Sequence, residues 1–342
     1  MKTTHFTRMF AIVAGLGFSA MLVSPASIAQ IKERNLKFGH FSTAESTYGQ
    51  GAYKFADLIK EKSGGKIQVT IYNSAQLGNE VQEVGATQGG LQDFFLISSS
   101  PLTSIVPHLQ VLDFPGLLTS KKDAYTFLDG PVGREMLDDF RKRNLVGLEY
   151  WENGFRQFTN NDRPITDIGD FKGLKVRVIQ NPIYLDMFGA LGTHAVAMPF
   201  AELYTALETK IVDGQDNTIA TDHMSKFYEV QKYLTMTNHV FNPMMLVASK
   251  KLWDDMSEEE RTIIQTAATE AGKFQRELND SIEKQQIEEM QAQGMQVNYF
   301  TAEQTEKMKA VMSPVISKYS KQVGEDFVKR VYDEMARISK EN

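Results

Sequence analysis

The sequence predicts an α/β protein built as two domains. Three observations carry this. β-Branched and aromatic runs alternate with segments of helical period from Leu36 to Ser249, roughly 310 residues remain once a leader is set aside, and one late helical pattern is longer than a small domain is wide. Strands interleaved with helices in this way imply a mostly parallel sheet.

The leader is read from Lys2 and Arg8, an apolar run from Met9 to Val23, and the small residues Ser27-Ile28-Ala29 before Gln30. This is the pattern of a secretory signal peptide over residues 1–29, cleaved near Ala29-Gln30, so the mature chain is expected to be exported. No later stretch approaches about 18 uninterrupted apolar residues, as a membrane-spanning helix would. Cysteine is absent, which excludes a lipid anchor at the cleavage point, a disulfide framework, a thiol nucleophile and a zinc-thiolate site. Net charge is −6 for the whole chain and −8 once Lys2 and Arg8 are removed. That balance argues against nucleic acid and anionic membrane surfaces as partners, and it makes individual arginines informative.

In chain order, Leu36 to His40 reads as a first strand and Tyr48 to Lys62 as a helix that ends at Ser63-Gly64-Gly65. Ile67 to Tyr72 is the second strand. Asn79 to Gly89 is helical, with Glu80 in its first turn, where the helix dipole favours an acid whether or not a ligand is present. Leu91 to Ile97 is a third strand. It runs into Ser98-Ser99-Ser100-Pro101, the kind of polar strand end at which an open α/β sheet presents a crevice. Lys121 to Arg143 is amphipathic and Val146 to Trp151 is a further strand. The passage from Trp151 to Asn161 concentrates aromatics and amides, with Asn153 and Arg156 flanking Gly154, and reads either as a crossover between domains that carries polar side chains into a cleft or as an ordinary surface loop.

Phe171 to Asn181, FKGLKVRVIQN, sets Arg177 inside an apolar β-branched run bounded by Gly173 and Pro182. Either Arg177 points to water or to a structural salt bridge, or its planar fork waits for a carboxylate or phosphate from outside the chain. A helix from Ile183 to Leu191 follows, then a short strand at Val196-Ala197-Met198 and a helix from Pro199 to Lys210. Ile211-Val212-Asp213 reads as a strand closed by an Asp-Gly turn, with Gln215, Asp216 and Asn217 as turn residues rich in donors and acceptors. Thr237 to Val240 and Met244 to Ser249 are return strands. Ser257 with Glu260 forms a capping box that opens an apolar stripe lasting to Gly294. This predicts a helix of roughly 35 residues and about 50 Å, bracing two domains. Its drift from a strict heptad and Gly272 count against a coiled coil.

The catalytic inventory is thin. His40, His108, His194, His223 and His239 show no metal-ligand spacing, and no nucleophile elbow, Walker loop or G-x-G-x-x-G opens a helix. No cofactor or metal is implied.

Five motifs in order then point to a family: GFRQFTNN (Gly154 to Asn161), FKGLKVRV (Phe171 to Val178), MPFAELYTALET (Met198 to Thr209), VDGQDN (Val212 to Asn217) and KFYEVQKYLTMTNH (Lys226 to His239). Together with YNSAQLGNE (Tyr72 to Glu80) they resemble the extracytoplasmic solute receptors of TRAP transporters, the DctP family, over essentially the whole mature chain. The resemblance implies a periplasmic-binding-protein-like fold in which each domain is a mixed sheet flanked by helices. Domain I would be 30–153 plus about 243–280, and domain II 154–242 plus about 281–342. A monomeric receptor in the periplasm would close on a small carboxylate and deliver it to sodium-dependent TRAP permease subunits, with no enzymatic step.

Carried over by position, Arg177 matches the carboxylate-clamping arginine, Arg156 a second arginine, Asn217 the asparagine after Asp-Gly, and Glu80 an acid that meets the far end of the ligand. Thr218 stands where proline often follows that asparagine, and Ser98-Ser99-Ser100 offers hydroxyls where some members place an acid. His40, Glu80, Gln180, Asn181, Asn153 and Asn217 would supply hydroxyl-matching partners, which favours a polyhydroxylated monocarboxylate such as a hexuronate. Gln180-Asn181-Pro182 resembles the hexuronate-binding members. A C4-dicarboxylate is the close alternative and would call for a second cation in place of Glu80. The rival of another class is a secreted hydrolase or lyase acting on acidic sugars, with His40 or His239 as its general base.

Overall fold

The computed structural model describes residues 31–341 and Thr3. The expected leader, residues 1–29, lies outside the described residues apart from Thr3.

The expected alternation of strand and helix is present. It begins with β1 (Arg34–His40), α1 (Thr47–Lys62), β2 (Ile67–Tyr72), α2 (Glu80–Gln88) and β3 (Phe94–Ser98). The Lys121 to Arg143 stretch divides at Gly130-Pro131 into α3 (Lys121–Asp129) and α4 (Pro131–Asp138), because proline is tolerated only in a first helical turn. Then come β4 (Leu145–Asn160), β5 (Lys175–Val178), α5 (Pro182–Ala190), β6 (His194–Ala197), α6 (Phe200–Glu208), β7 (Gly214–Thr218) and α7 (Ile219–Met224). The chain closes with β8 (Tyr233–Met236), β9 (Phe241–Ser249), α8 (Lys250–Asp255), α9 (Glu258–Ala292), β10 (Gln296–Tyr299), α10 (Ala302–Val323) and α11 (Glu325–Glu341).

The strands follow the order β2-β1-β3-β9-β4-β7-β5-β6, with β8 beside β4 and β10 beside β8. The outer pairs β1–β2, β1–β3, β5–β6, β5–β7 and β8–β10 are parallel, whereas β9 and β4 at the centre pair antiparallel with each other and with their outer neighbours. The sheet is therefore mixed rather than mostly parallel.

β4 corrects the sequence reading most clearly. It continues for 16 residues through the passage expected to be a loop, pairing with β9 along its first part and with β7 and β8 along its last. Its polar side chains suggested a loop, but they are buried and hydrogen-bonded across strands. A register shift between Glu152 and Gly154 leaves Asn153 as a bulged residue beside Gly154, whose φ is 113°. Bulges of this kind re-aim a side chain.

β7 is a second correction. The presumed Asp-Gly turn is the entry to a fully buried strand, and a Cβ on Gly214 would lie 2.3 Å from the carbonyl oxygen of Thr159, so only glycine lets β7 approach β4. The strand expected at Thr237 to Val240 instead occupies Tyr233–Met236.

The long helix has the expected 35 residues and its capping box. It packs along α1, β4 and α7. Gln275 is tied to β4 beside its bulge, its Oε1 accepting from the Glu152 amide at 2.8 Å and its Nε2 donating to the Glu152 carbonyl at 2.9 Å. Gly272 does not interrupt the helix but lets it sit close, since a Cβ there would meet the buried Trp151 ring at 2.8 Å. The last helix, α11, packs on α3 and α4.

Candidate functional site

Arg177 lies on β5 between Val176 and Val178, whose side chains are fully buried, and is itself only 2% exposed. Its Nε and Nη2 donate to one oxygen, the backbone carbonyl of Met198, at 3.0 and 2.7 Å. No carboxylate among the described residues pairs with it. Burial, and then the Arg156 charge, lower its pKa to about 10. A buried guanidinium left without a counter-ion costs several kcal/mol, so the cavity is electrostatically prepared for an anion.

Arg156, also buried, is already neutralised. From the bulged segment of β4 its Nε donates to Oδ2 of Asp216 at 2.5 Å and its Nη2 to the Asp216 carbonyl at 2.5 Å, while the guanidinium carbon lies 5.2 Å from the Tyr184 ring centre. Burial opposes both charges, but the pairing outweighs it, holding Arg156 above and Asp216 well below their ordinary pKa. His239 adds a contact to Asp216, Nε2 to Oδ2 at 3.3 Å, and its Nδ1 bonds Thr237 at 2.8 Å.

Arg177 and Arg156 open onto one small cavity. Of the expected site residues, Glu80, Asn153, Arg156, Arg177 and Asn217 line it together. Asn217 donates to Oε1 of Gln215 at 3.1 Å, and Gln215 donates in turn to Asp222 at 2.9 Å. Asn153 donates from Nδ2 to Asn242 at 2.9 Å, which fixes the face its carbonyl oxygen presents. Glu80, half-buried, stands at the start of α2, which Asn79 caps.

Three expected residues are not in the lining. His40 is fully buried, bonded through Nδ1 to Ser42 at 2.8 Å and packed edge-on against Phe38, and burial lowers its pKa to about 4. Asn181 spends its amide inside the protein: Oδ1 accepts from the Ile183 N–H as the cap of α5, and Nδ2 donates to Asp113 at 2.7 Å. Gln180 is half-buried outside the lining. His239 is also outside it.

Several lining residues escaped the sequence reading. Ile179 follows Arg177 by two, so strand alternation puts it on the same face and could have revealed it. Phe41 and Phe200 contribute an apolar wall and meet edge to face, with ring centres 5.0 Å apart. Thr221, also unnoticed, completes the wall together with Ser98 and Pro101 of the strand end that the sequence did point to, and Ser98 Oγ donates to Asn242 at 2.5 Å. Asn242 has no local sequence signal, and Asp216 is visible only as a polar turn residue, because their partners lie far away in the chain.

Three buried carboxyl groups surround this site. Burial pushes Asp113 up to about 7, Asp222 up to about 8, and Glu83 up to about 8 with help from the neighbouring Glu80. A folded-state pKa raised above the unfolded value gives stability that is present below about pH 4 and lost as pH rises through 7–8. The unfolding midpoint is therefore expected to fall as pH rises from about 4 to about 8 and to level off above it. Midpoints that are flat or rising over that range would show that these groups are not held neutral.

A mixed α/β sheet crossed by a long helix, with a cavity onto which a buried arginine opens without an acidic partner among the described residues, has the features of a receptor for an anionic solute. The signature of bacterial extracellular solute-binding protein family 7, DctP, matches residues 38–322, and the chain belongs to that family, the solute receptors of TRAP transporters. It is similar to the galactonate complex of the sugar acid binding protein DctPAm from Advenella mimigardefordensis, with 37% identity and a TM-score of 0.88, over 90% of this chain and 99% of the other. It is 32% identical to the 2,3-diketo-L-gulonate-binding periplasmic protein YiaO of Escherichia coli over 79% of this chain and 83% of that one. It is 31% identical to the C4-dicarboxylate-binding protein DctB of Bacillus subtilis over 87% and 85% of the two chains.

Proposed function

We propose that this receptor captures a polyhydroxylated monocarboxylate, a sugar acid of the aldonate or uronate class, and presents it in the periplasm to TRAP permease subunits. The observation that carries the reading is Arg177, buried with only a backbone carbonyl for a partner among the described residues. A carboxylate arriving there recovers the desolvation of both ions through a bidentate pair.

The charge of the lining supports one carboxylate rather than two. Arg156 is offset by Asp216, and the remaining charged lining residue, Glu80, is an acid. A second carboxylate would meet Glu80 with no free cation in the lining, whereas a ligand hydroxyl can donate to it. Asn153, Asn217, Ser98 and Thr221 extend the hydroxyl-matching set. The galactonate complex of the Advenella protein and the name of the E. coli relative support the sugar-acid reading, and the B. subtilis relative supports the C4-dicarboxylate alternative.

In this reading the strands outside β9 and β4 belong to two closing domains, 30–153 plus about 243–280 and 154–242 plus about 281–342, with β4 and α9 as the shared elements. In this reading the receptor acts as a monomer and leaves its ligand intact; His40 and His239, the bases an enzymatic reading would call on, lie outside the lining.

Thermal unfolding against a panel of galactonate, galacturonate, gluconate, succinate, malate and fumarate tests the proposal. Sugar acids at a hundred times Kd are expected to stabilise by about 2.7 kcal/mol. Stabilisation by the C4-dicarboxylates alone would establish the alternative, and conversion of the bound acid to a new product would establish an enzyme.

A further inference from the structure

At the junction of β7 and α7, three hydroxyl groups converge on one amide oxygen. Oδ1 of Asn153 lies 2.7 Å from the Tyr48 hydroxyl, 2.9 Å from that of Thr218 and 3.3 Å from that of Thr221. The oxygen cannot rotate away, because Nδ2 of the same amide donates to Asn242. All four side chains are buried.

A carbonyl oxygen has two lone pairs and three hydroxyls bring three protons, so one proton has no place at this acceptor. The two short contacts take the two positions. The excluded proton is that of Thr221, whose other neighbours, the oxygens of Thr218 and Tyr48, stand at 3.1 and 3.2 Å, beyond the usual hydroxyl–oxygen separation. Of the two threonines, Thr221 lines the ligand cavity and Thr218 does not.

We infer that Thr221 is a specificity-determining donor to an oxygen of the bound acid, and that Thr218 is the positioning residue that frees it by filling the second lone pair of Asn153. The inference rests on the sugar-acid reading above. It assigns to Thr218 an effect on the ligand without contact: if the Thr218 hydroxyl is removed, Thr221 turns its proton to Asn153 and the ligand loses a donor. A simple carboxylate anchored on Arg177 gains nothing from this arrangement, whereas an acid with an oxygen opposite Thr221 does.

The experiment is calorimetric titration of galactonate into the full-length mature protein and four variants, Thr221→Val, Thr218→Val, Thr218→Ser and the double valine, each checked for an unchanged ligand-free unfolding midpoint. Thr221→Val is expected to weaken binding about tenfold, the worth of one neutral hydrogen bond. Thr218→Val should weaken it by a similar factor, the double variant no further, and Thr218→Ser should keep wild-type affinity because the hydroxyl is retained. Full affinity in either single valine variant overturns the inference, as does a double variant whose losses multiply or a serine variant as weak as valine. If the wild-type protein binds no sugar acid at all, the receptor reading for sugar acids falls and takes this inference with it. Wild-type binding with an unaffected Thr221→Val overturns the inference alone.

Discussion

Replacing Arg177 by alanine is expected to cost at least about 3 kcal/mol of ligand binding, more than a hundredfold in Kd, because the incoming carboxylate would be desolvated with nothing to replace its water. Arg177→Met sharpens the argument by separating binding from folding. The guanidinium is buried beside a second arginine, and among the described residues its hydrogen-bond partner is the Met198 carbonyl alone. Burying an unneutralised cation works against folding, so a methionine of similar reach should leave the ligand-free protein as stable as before, or more so, while abolishing capture. Urea unfolding without ligand and titration with galactonate read the two effects separately. Retained affinity would sink the clamp, and a large loss of ligand-free stability would mean that Arg177 is structural.

Asp216→Asn should have the opposite signature. Asp216 is fully buried, neutralises Arg156 through a 2.5 Å ion pair and receives His239 as well. Removing its charge strands a buried arginine, which is expected to destabilise the fold by about 3–5 kcal/mol. Pairing the change with Arg156→Met should recover most of that loss, since replacing both partners removes the unpaired charge. A single variant that loses less than about 1 kcal/mol in urea unfolding would show that Arg156 finds compensation elsewhere.

These two arginines show how far residue patterns reach. Arg177 could be singled out because Val176 and Val178 mark a buried strand around it, and a lone cation in such a strand poses a question without any alignment. Arg156 could be noticed but not understood, since its partner is 60 residues away in a segment that reads as an Asp-Gly turn. The same blindness made β4 look like a loop after Trp151. A run of Glu, Asn, Arg, Gln and Thr has the composition of an exposed connection, and only pairing with β7, β8 and β9 turns it into buried strand. Asn217 and Asn181 both read as ligand contacts in sequence, yet α5 consumes the second as its cap while the first faces the cavity.

By itself, then, the chain's order of residues determined what is local and periodic: the alternation of strand and helix, the capping box and length of α9, and the apolar strand around Arg177. These follow from backbone propensity and from side-chain spacing along a single segment. The tertiary structure decided which buried polar groups neutralise one another and which are left open to a ligand. That choice depends on distances between side chains far apart in sequence: Arg156 is closed by Asp216, Asn181 by Asp113, and Arg177 alone of the three keeps a fork facing the cavity without an acid to fill it.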